Sequence, residues 1–352
     1  MNNREQCITY FNKDIKKRRM IILILLCGLI GVVIWGLAVG GSSLSLDKVF
    51  QAIGDKITDS ETISETDSYI AIAIRIPRVL VAVGAGAALG LSGLLMQGIF
   101  QNPLVSPYTL GISNGASFGA CLAIVLSSSV SLSLGMFLTP VFAFAFAMLT
   151  MVFVFTLVKF SGHSTKSLVL TGVAIGYLFS SLVSILKYVS DTKELPELVF
   201  WTMGSLAGIT WEVLAIIFGV LAVCMIISLV ISWDLNIMTF GREEAIALGV
   251  NYKRKQTIVF ILTTILTATT VSFTGVIGFV GLVAPHITRM IIGNDYRYGI
   301  PVTCFLGSLL LLVSDTIART VIAPTELPVG IVTSLIGVPF YIYLVLRRSK
   351  NV

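Results

Sequence analysis

The chain has 352 residues, of which 56% are hydrophobic and only 12% charged, and its mean hydropathy is +0.95. A soluble globular domain carries about twice that charged fraction, so composition excludes one and points to a polytopic membrane protein. The formal net charge of +6 is not a nucleic-acid signature, because the basic residues sit in short segments between apolar runs, where topology accounts for them.

Apolar runs of membrane-crossing length predict an all-α protein of about ten transmembrane helices. They fall near 20–40, 78–99, 108–128, 134–158, 167–188, 212–233, 257–274, 279–293, 301–320 and 328–346. Residues 1–19 read as a basic tail, 20–346 as one transmembrane domain, 234–256 as a polar loop within it and 347–352 as a C-terminal tail. The first run, Met20 to Val39, is too long for a signal-peptide core and lacks a small-residue cleavage site, so it reads as the first span.

Lys13, Lys16, Lys17, Arg18 and Arg19 precede that span. With an even number of spans, Arg347, Arg348 and Lys350 share their side, together with Lys159, Lys166, Arg242, Lys253 to Lys255, Arg289 and Arg297. The opposite side carries an acidic loop holding Asp47, Asp55, Asp59, Glu61, Glu65 and Asp67. The positive-inside rule then places both termini in the cytoplasm.

The second span opens on Arg75-Ile76-Pro77-Arg78. Proline is tolerated at a helix start, and arginines three apart share one face at the outer rim. Interfacial anchoring is one role for them, and contact with carboxylates of a partner is another. Downstream, Gly86 and Gly90 form a GxxxG that allows close helix approach. Cys7, Cys27, Cys121, Cys224 and Cys304 are scattered without metal spacing and read as buried thiols behaving as small hydrophobes. With two histidines in the chain, no metal site is expected.

Asp234 to Gln256 stands apart from the other loops. Phe240-Gly241 reads as a turn and Glu243 to Leu248 as a short helix closed by Gly249. The helix presents a charged face and an Ile246/Leu248 face that could enter a partner's groove. The run Gly275 to Arg289 then sets glycines, Pro285, His286 and Arg289 into apolar surroundings. Polar groups at membrane depth are expensive, and Pro285 frees a carbonyl that His286 or Arg289 could satisfy. Asp315 and Arg319 lie four apart in the favourable acid-first order, so His286, Arg289 and Asp315 are read as an intramembrane polar network. No GxxxxGK[ST] loop appears, so no ATP hydrolysis is expected from this chain. No inverted repeat of the secondary-transporter kind is evident.

These pieces, in this order, resemble the permease subunit of the iron-siderophore and vitamin B12 class of ABC importers, which has a type II importer fold. The resemblance rests on Arg75-Ile76-Pro77-Arg78, Gln101-Asn102-Pro103-Leu104, residues 110–116, Trp201 to Ser205, Leu248-Gly249, Gly278 to Leu282, Pro285-His286, Arg289, Asp315, Arg319, Glu326 to Gly330 and Gly337 to Phe340. It implies ten helices per subunit and a second permease subunit, the same chain or a paralogue. It also implies two ATPase subunits carrying ATP and Mg, an extracytoplasmic binding protein, and no cofactor in this chain.

By the same resemblance, Gly241, Arg242, Glu243 and Glu244 form the element that touches the ATPase. Arg75, Arg78 and Arg319 meet glutamates of the binding protein, and Asn102, Leu104, Ser164 and Thr165 gate the pathway. Lys166 departs from the small polar residue expected beside them. The expected cargo is a ferric siderophore carried whole, since no cluster of aspartates, histidines or cysteines would hold bare iron. Cobalamin or haem is the alternative within the class. An ion-coupled secondary transporter is the rival outside it, and would need titratable groups in several spans.

Overall fold

A computed structural model describes residues 3–40, 44–60, 62–130, 137–160 and 165–349. Among them every regular element is helical: α1 (Asn3–Ala38), α2 (Leu46–Thr58), α3 (Glu65–Tyr69), α4 (Ile76–Ile99), α5 (Ile112–Val130), α6 (Leu138–Phe160), α7 (Thr165–Val189), α8 (Leu195–Met203), α9 (Trp211–Val230), α10 (Ser232–Met238), α11 (Arg242–Ala247), α12 (Tyr252–Thr274), α13 (Val280–Ile292), α14 (Tyr296–Ala318) and α15 (Val329–Ser349). Among the described residues seven helices are long and apolar enough to cross a membrane, and α5, α13 and α15 contribute shorter apolar stretches. Seven and three reproduce the ten expected spans.

Two of those spans start earlier than hydropathy suggests. The basic tail is helical, so α1 runs on from it. The second span begins at Glu65, because a π-helical stretch, Ile70–Arg75, joins α3 to α4 without a break. Proline cannot donate to the preceding turn and its ring crowds the carbonyl there. The wider π turn ahead of Pro77 gives that ring room.

α4 is the central post. Nearly all of its residues are buried, enclosed by α9, α12, α13 and α14. Its small residues set this up: a Cβ on Gly86 would lie 2.3 Å from the Gly307 carbonyl oxygen, and one on Gly307 would lie 2.2 Å from that of Gly86. The GxxxG is therefore the α4–α14 contact, made backbone to backbone. α5, α6 and α7 pack as a flanking group, with Phe118, Phe146 and Phe179 meeting between them. Cys121, Cys224 and Cys304 are buried as expected, but Cys27 lies on the outward surface of α1.

One rim, here the basic rim, gathers Arg18, α10, α11 and the start of α14. The other, the far rim, holds α2, α3 and the end of α14. At the far rim Asp55 folds the acidic loop on itself. It accepts from the Thr62 hydroxyl at 2.6 Å and amide at 2.9 Å, the Ser60 hydroxyl at 3.0 Å and the Ile63 amide at 3.2 Å. Led by the Thr62 bond, these contacts hold its carboxyl below the ordinary range.

Candidate functional site

At the far rim the structure brings Arg75, Arg78 and Arg319 together, but not as an exposed row. They are only 4%, 7% and 3% exposed. Arg78 reaches Asp315 Oδ1 through Nε at 3.0 Å and Nη2 at 2.9 Å, and Glu326 through Nη1 at 2.7 Å. Arg319 Nε lies 3.0 Å from Asp315 Oδ2. The two atoms are poorly aligned and neither makes a hydrogen bond, so this contact is charge pairing alone.

The remaining donors explain why the guanidiniums turn inward. Arg75 donates to the carbonyls of Leu37 and Leu44, and Arg319 to those of Gly36 and Val39. α1 ends at Ala38, so several of these are the orphan carbonyls of a helix C-terminus, where cations are favoured. The expectation of arginines presented to a partner is corrected in this respect: helix ends that sequence keeps apart take up their donors.

Three motifs that read as separate signals meet inside the helix bundle. α8 ends at Gly204 and α12 at Gly275, both with positive φ, and the Ser205 amide donates to the Thr274 carbonyl at 2.8 Å. α15 starts against them: a Cβ on Gly330 would sit 2.2 Å from the Met203 carbonyl oxygen and 2.6 Å from that of Val276. Phe279 adopts φ +66°, costly for a bulky side chain, and its side chain covers Gly337 on α15. Irregular backbone survives within a membrane only where protein or a cavity surrounds it. A concavity of about 550 Å³ opens beside this junction, lined by residues including Tyr108, Met203, Phe279, Leu335 and Val338, with no charged side chain in its wall.

At the basic rim a cavity of about 360 Å³ collects Gln97, Asn102, His286, Arg289 and Asp295. His286 and Arg289 thus come together, but Asp315 does not join them. It lies 19 residues beyond Tyr296 along α14, about 28 Å at 1.5 Å per residue. The single expected network is two. The carbonyl freed by Pro285, that of Gly281, faces the Gln97 amide at 3.4 Å, and Gln97 Oε1 accepts from Arg289.

Asn102 spends its side-chain oxygen on the Leu104 amide at 3.0 Å, and Leu104 is exposed. Ser164 lies outside the described residues. Thr165 is described only as the first residue of α7.

Gly241 takes φ +125°, and Arg242, Glu243 and Glu244 are exposed on α11. Gly249, at φ +84°, closes the helix as expected. The Gly249 and Val250 amides donate to the Ile246 and Ala245 carbonyls at 3.0 and 2.9 Å, the Schellman pattern. Phe240, Ile246 and Leu248 are 71%, 54% and 63% exposed beside the charges.

Asp295 is the residue sequence reasoning passed over. It caps α14 by accepting from the Arg297 amide, and binds Arg18 at 2.9 Å and Arg297 at 2.6 Å. Burial alone would raise its pKa, but hydrogen bonds from Arg297 and Asn236 outweigh that and hold it at about 2. Its signal was an aspartate directly before a helix. Gln97 was legible too, as a lone amide in an apolar span.

The FecCD transport family matches residues 24–347. The chain is 40% identical over 283 residues to the hemin transport system permease of Yersinia pestis, covering 80% of this chain and 85% of that one. It is 39% identical over 316 residues to the molybdate import system permease of Haemophilus influenzae, covering 90% and 92%. A solved structure described as an inward-facing conformation of an ABC transporter of the metal-chelate type is similar at TM-score 0.81 and 34% identity, over 94% of this chain and 99% of that one. The central post, the helix ends that meet inside the bundle and the matched length all agree: this membrane-embedded chain is an ABC importer permease subunit and belongs to the FecCD transport family.

Proposed function

We propose that the chain forms half of the translocation pathway of an ATP-driven importer for a ferric siderophore. The observation that carries this reading is the uncharged wall of the concavity beside Phe279. A wall of mainly apolar side chains, with the hydroxyls of Thr202 and Ser334 and no charge among the described residues, suits a bulky chelate carried whole. It would let the cargo slide without holding it, since a pathway that bound tightly would release slowly. The similarity to a transporter of the metal-chelate type points the same way. Haem is the second reading, favoured by the 40% identity to a hemin permease.

In this reading the basic rim and both termini are cytoplasmic. Two ATPase subunits, with ATP and Mg, dock on α11 through Arg242, Glu243, Glu244 and the apolar residues beside them. Asn102, Leu104, Ser164 and Thr165 narrow the cytoplasmic end of the pathway. The binding protein meets the far rim. Arg75, Arg78 and Arg319 would serve that contact from beneath, by fixing the turn that presents Glu326.

The test is uptake of iron-55 as hydroxamate, catecholate and citrate chelates, with labelled haem and cobalamin alongside, in cells with and without the chain. Chain-dependent, ATP-dependent uptake of one iron chelate is the expected result. Uptake of haem or cobalamin alone overturns the substrate and keeps the transport role.

A further inference from the structure

One side chain of α10 joins it to the start of α14 through two bonds. Asn236 donates through Nδ2 to Asp295 Oδ1 at 3.0 Å, and its Oδ1 accepts from the Tyr296 backbone amide at 2.8 Å. One amide group is thus bonded both to the capping carboxylate and to the first helical amide of α14. The neighbouring contacts are of other kinds or run to other helices. The Arg297 guanidinium stacks over Trp233 at 4.3 Å from the ring centre, and Asp234 pairs with Lys255 on α12. Gln101 donates to the carbonyls of Met238 and Thr239, which holds the α10–α11 segment to the end of α4.

Directionality separates Asn236 from the stacking and the ion pair, while the Gln101 bonds are equally directional but run to α4. An ion pair or a stacked guanidinium tolerates sliding, because its attraction changes slowly with angle. A side-chain amide bonded at both ends to a helix terminus does not, since hydrogen bonds weaken steeply off axis. Asp295 is itself held from a third direction by Arg18 of α1 at 2.9 Å. A displacement of α10 therefore reaches α14 and α1 together. α14 is the helix that packs on α4 through Gly307 and carries Asp315 at its other end.

We propose that Asn236, with Asp295, is the positioning pair that transmits movement of the α10–α11 segment into α14 and α1 during the transport cycle. The inference rests on reading that segment as the ATPase-docking element. It adds which contact carries the motion onward. Asn236 touches neither cargo nor nucleotide in this scheme.

The experiment uses the assembled transporter, with its ATPase subunits and binding protein, in proteoliposomes. Iron-55 ferric hydroxamate is the probe, or labelled haem or cobalamin if the uptake panel selects one of those. Asn236→Leu keeps the branching at Cγ and removes both bonds, while Asn236→Asp sets a carboxylate against Asp295. Both are expected to retain the ATPase subunits and to hydrolyse ATP within about twofold of wild type, while uptake per ATP hydrolysed falls about tenfold. Exchanging the pair, Asn236→Asp with Asp295→Asn, restores a donor facing an acceptor, although the nitrogen then placed at 295 gives up the oxygen that capped the Arg297 amide. It is expected to recover most of the ratio, which a role in folding alone would not produce.

An unchanged ratio in Asn236→Leu overturns the proposal, as does loss of the ATPase subunits from that variant or failure of the exchange to recover. Glu243→Lys with Glu244→Lys is the control for the underlying reading. If that variant still binds the ATPase and transports, the docking assignment fails. If it does not, and Asn236→Leu transports normally, only the transmission step fails.

Discussion

The clusters around Asp315 and Asp295 occupy opposite ends of α14, and each draws arginines onto one aspartate. Their surroundings differ. Asp315 is fully buried, and its partners Arg78 and Arg319 are nearly so. The Asp295 side chain is 15% exposed and its partners Arg18 and Arg297 are 20% and 36% exposed. The far cluster must balance its charge within the protein, which it does with Asp315, Glu326 and the terminal carbonyls of α1. The basic-rim cluster has water in reach, so its bonds can be exchanged without leaving a charge stranded. Motion through a cycle is easier to place at the second than at the first.

The largest effect that would break this comparison is at Asp315. Asp315→Asn leaves two buried guanidiniums sharing a neutral amide, and breaking a buried pair costs about 3–5 kcal/mol. The variant is expected not to accumulate as folded protein, measured by size-exclusion yield and melting temperature in detergent. If it folds as well as Asp295→Asn does, the far cluster is not sealed.

A middle-sized effect sharpens the other half. The Asp295 pKa is lowered to about 2 from an ordinary value of 3.8, so its contribution to stability is fully present above the unfolded value. It is lost as pH falls through the folded one. The melting-temperature difference between wild type and Asp295→Asn should be constant from about pH 8 to 5 and close between about pH 4 and 2. A difference that instead changes between pH 8 and 5 would mean that another group titrates in the joint.

The smallest effect is at Lys48, whose Nζ lies 2.7 Å from Asp67 on the far rim with 48% of its side chain exposed. Lys48→Ala should change stability by no more than about 0.5 kcal/mol, read from the same melting curves. A loss approaching that of Asp315→Asn would show that position on the rim, not burial, sets the scale.

Much of the fold was legible because a membrane helix announces itself through composition alone. The ten spans, the GxxxG on α4, the glycine that closes α11 and the acid-first pair Asp315–Arg319 all follow from local pattern. The motif fragments Trp201 to Ser205, Gly278 to Leu282 and Glu326 to Gly330 were visible as strings. Their meeting at one junction was not, because no spacing rule links the ends of α8 and α12 with the start of α15.

What the sequence by itself determined is therefore the number of spans, the polarity difference between the two rims and the polar residues worth watching. Tertiary structure alone decided where those residues point. Arg75 and Arg319 read as surface groups until the C-terminus of α1 supplies carbonyls beside them. His286, Arg289 and Asp315 read as one network until the rise along α14 separates them. Asp295 reads as a loop residue until Asn236, 59 positions away, bonds to it. A side chain's periodicity is local, but the partner that satisfies its charge arrives from elsewhere in the chain, and only packing brings the two within bonding distance.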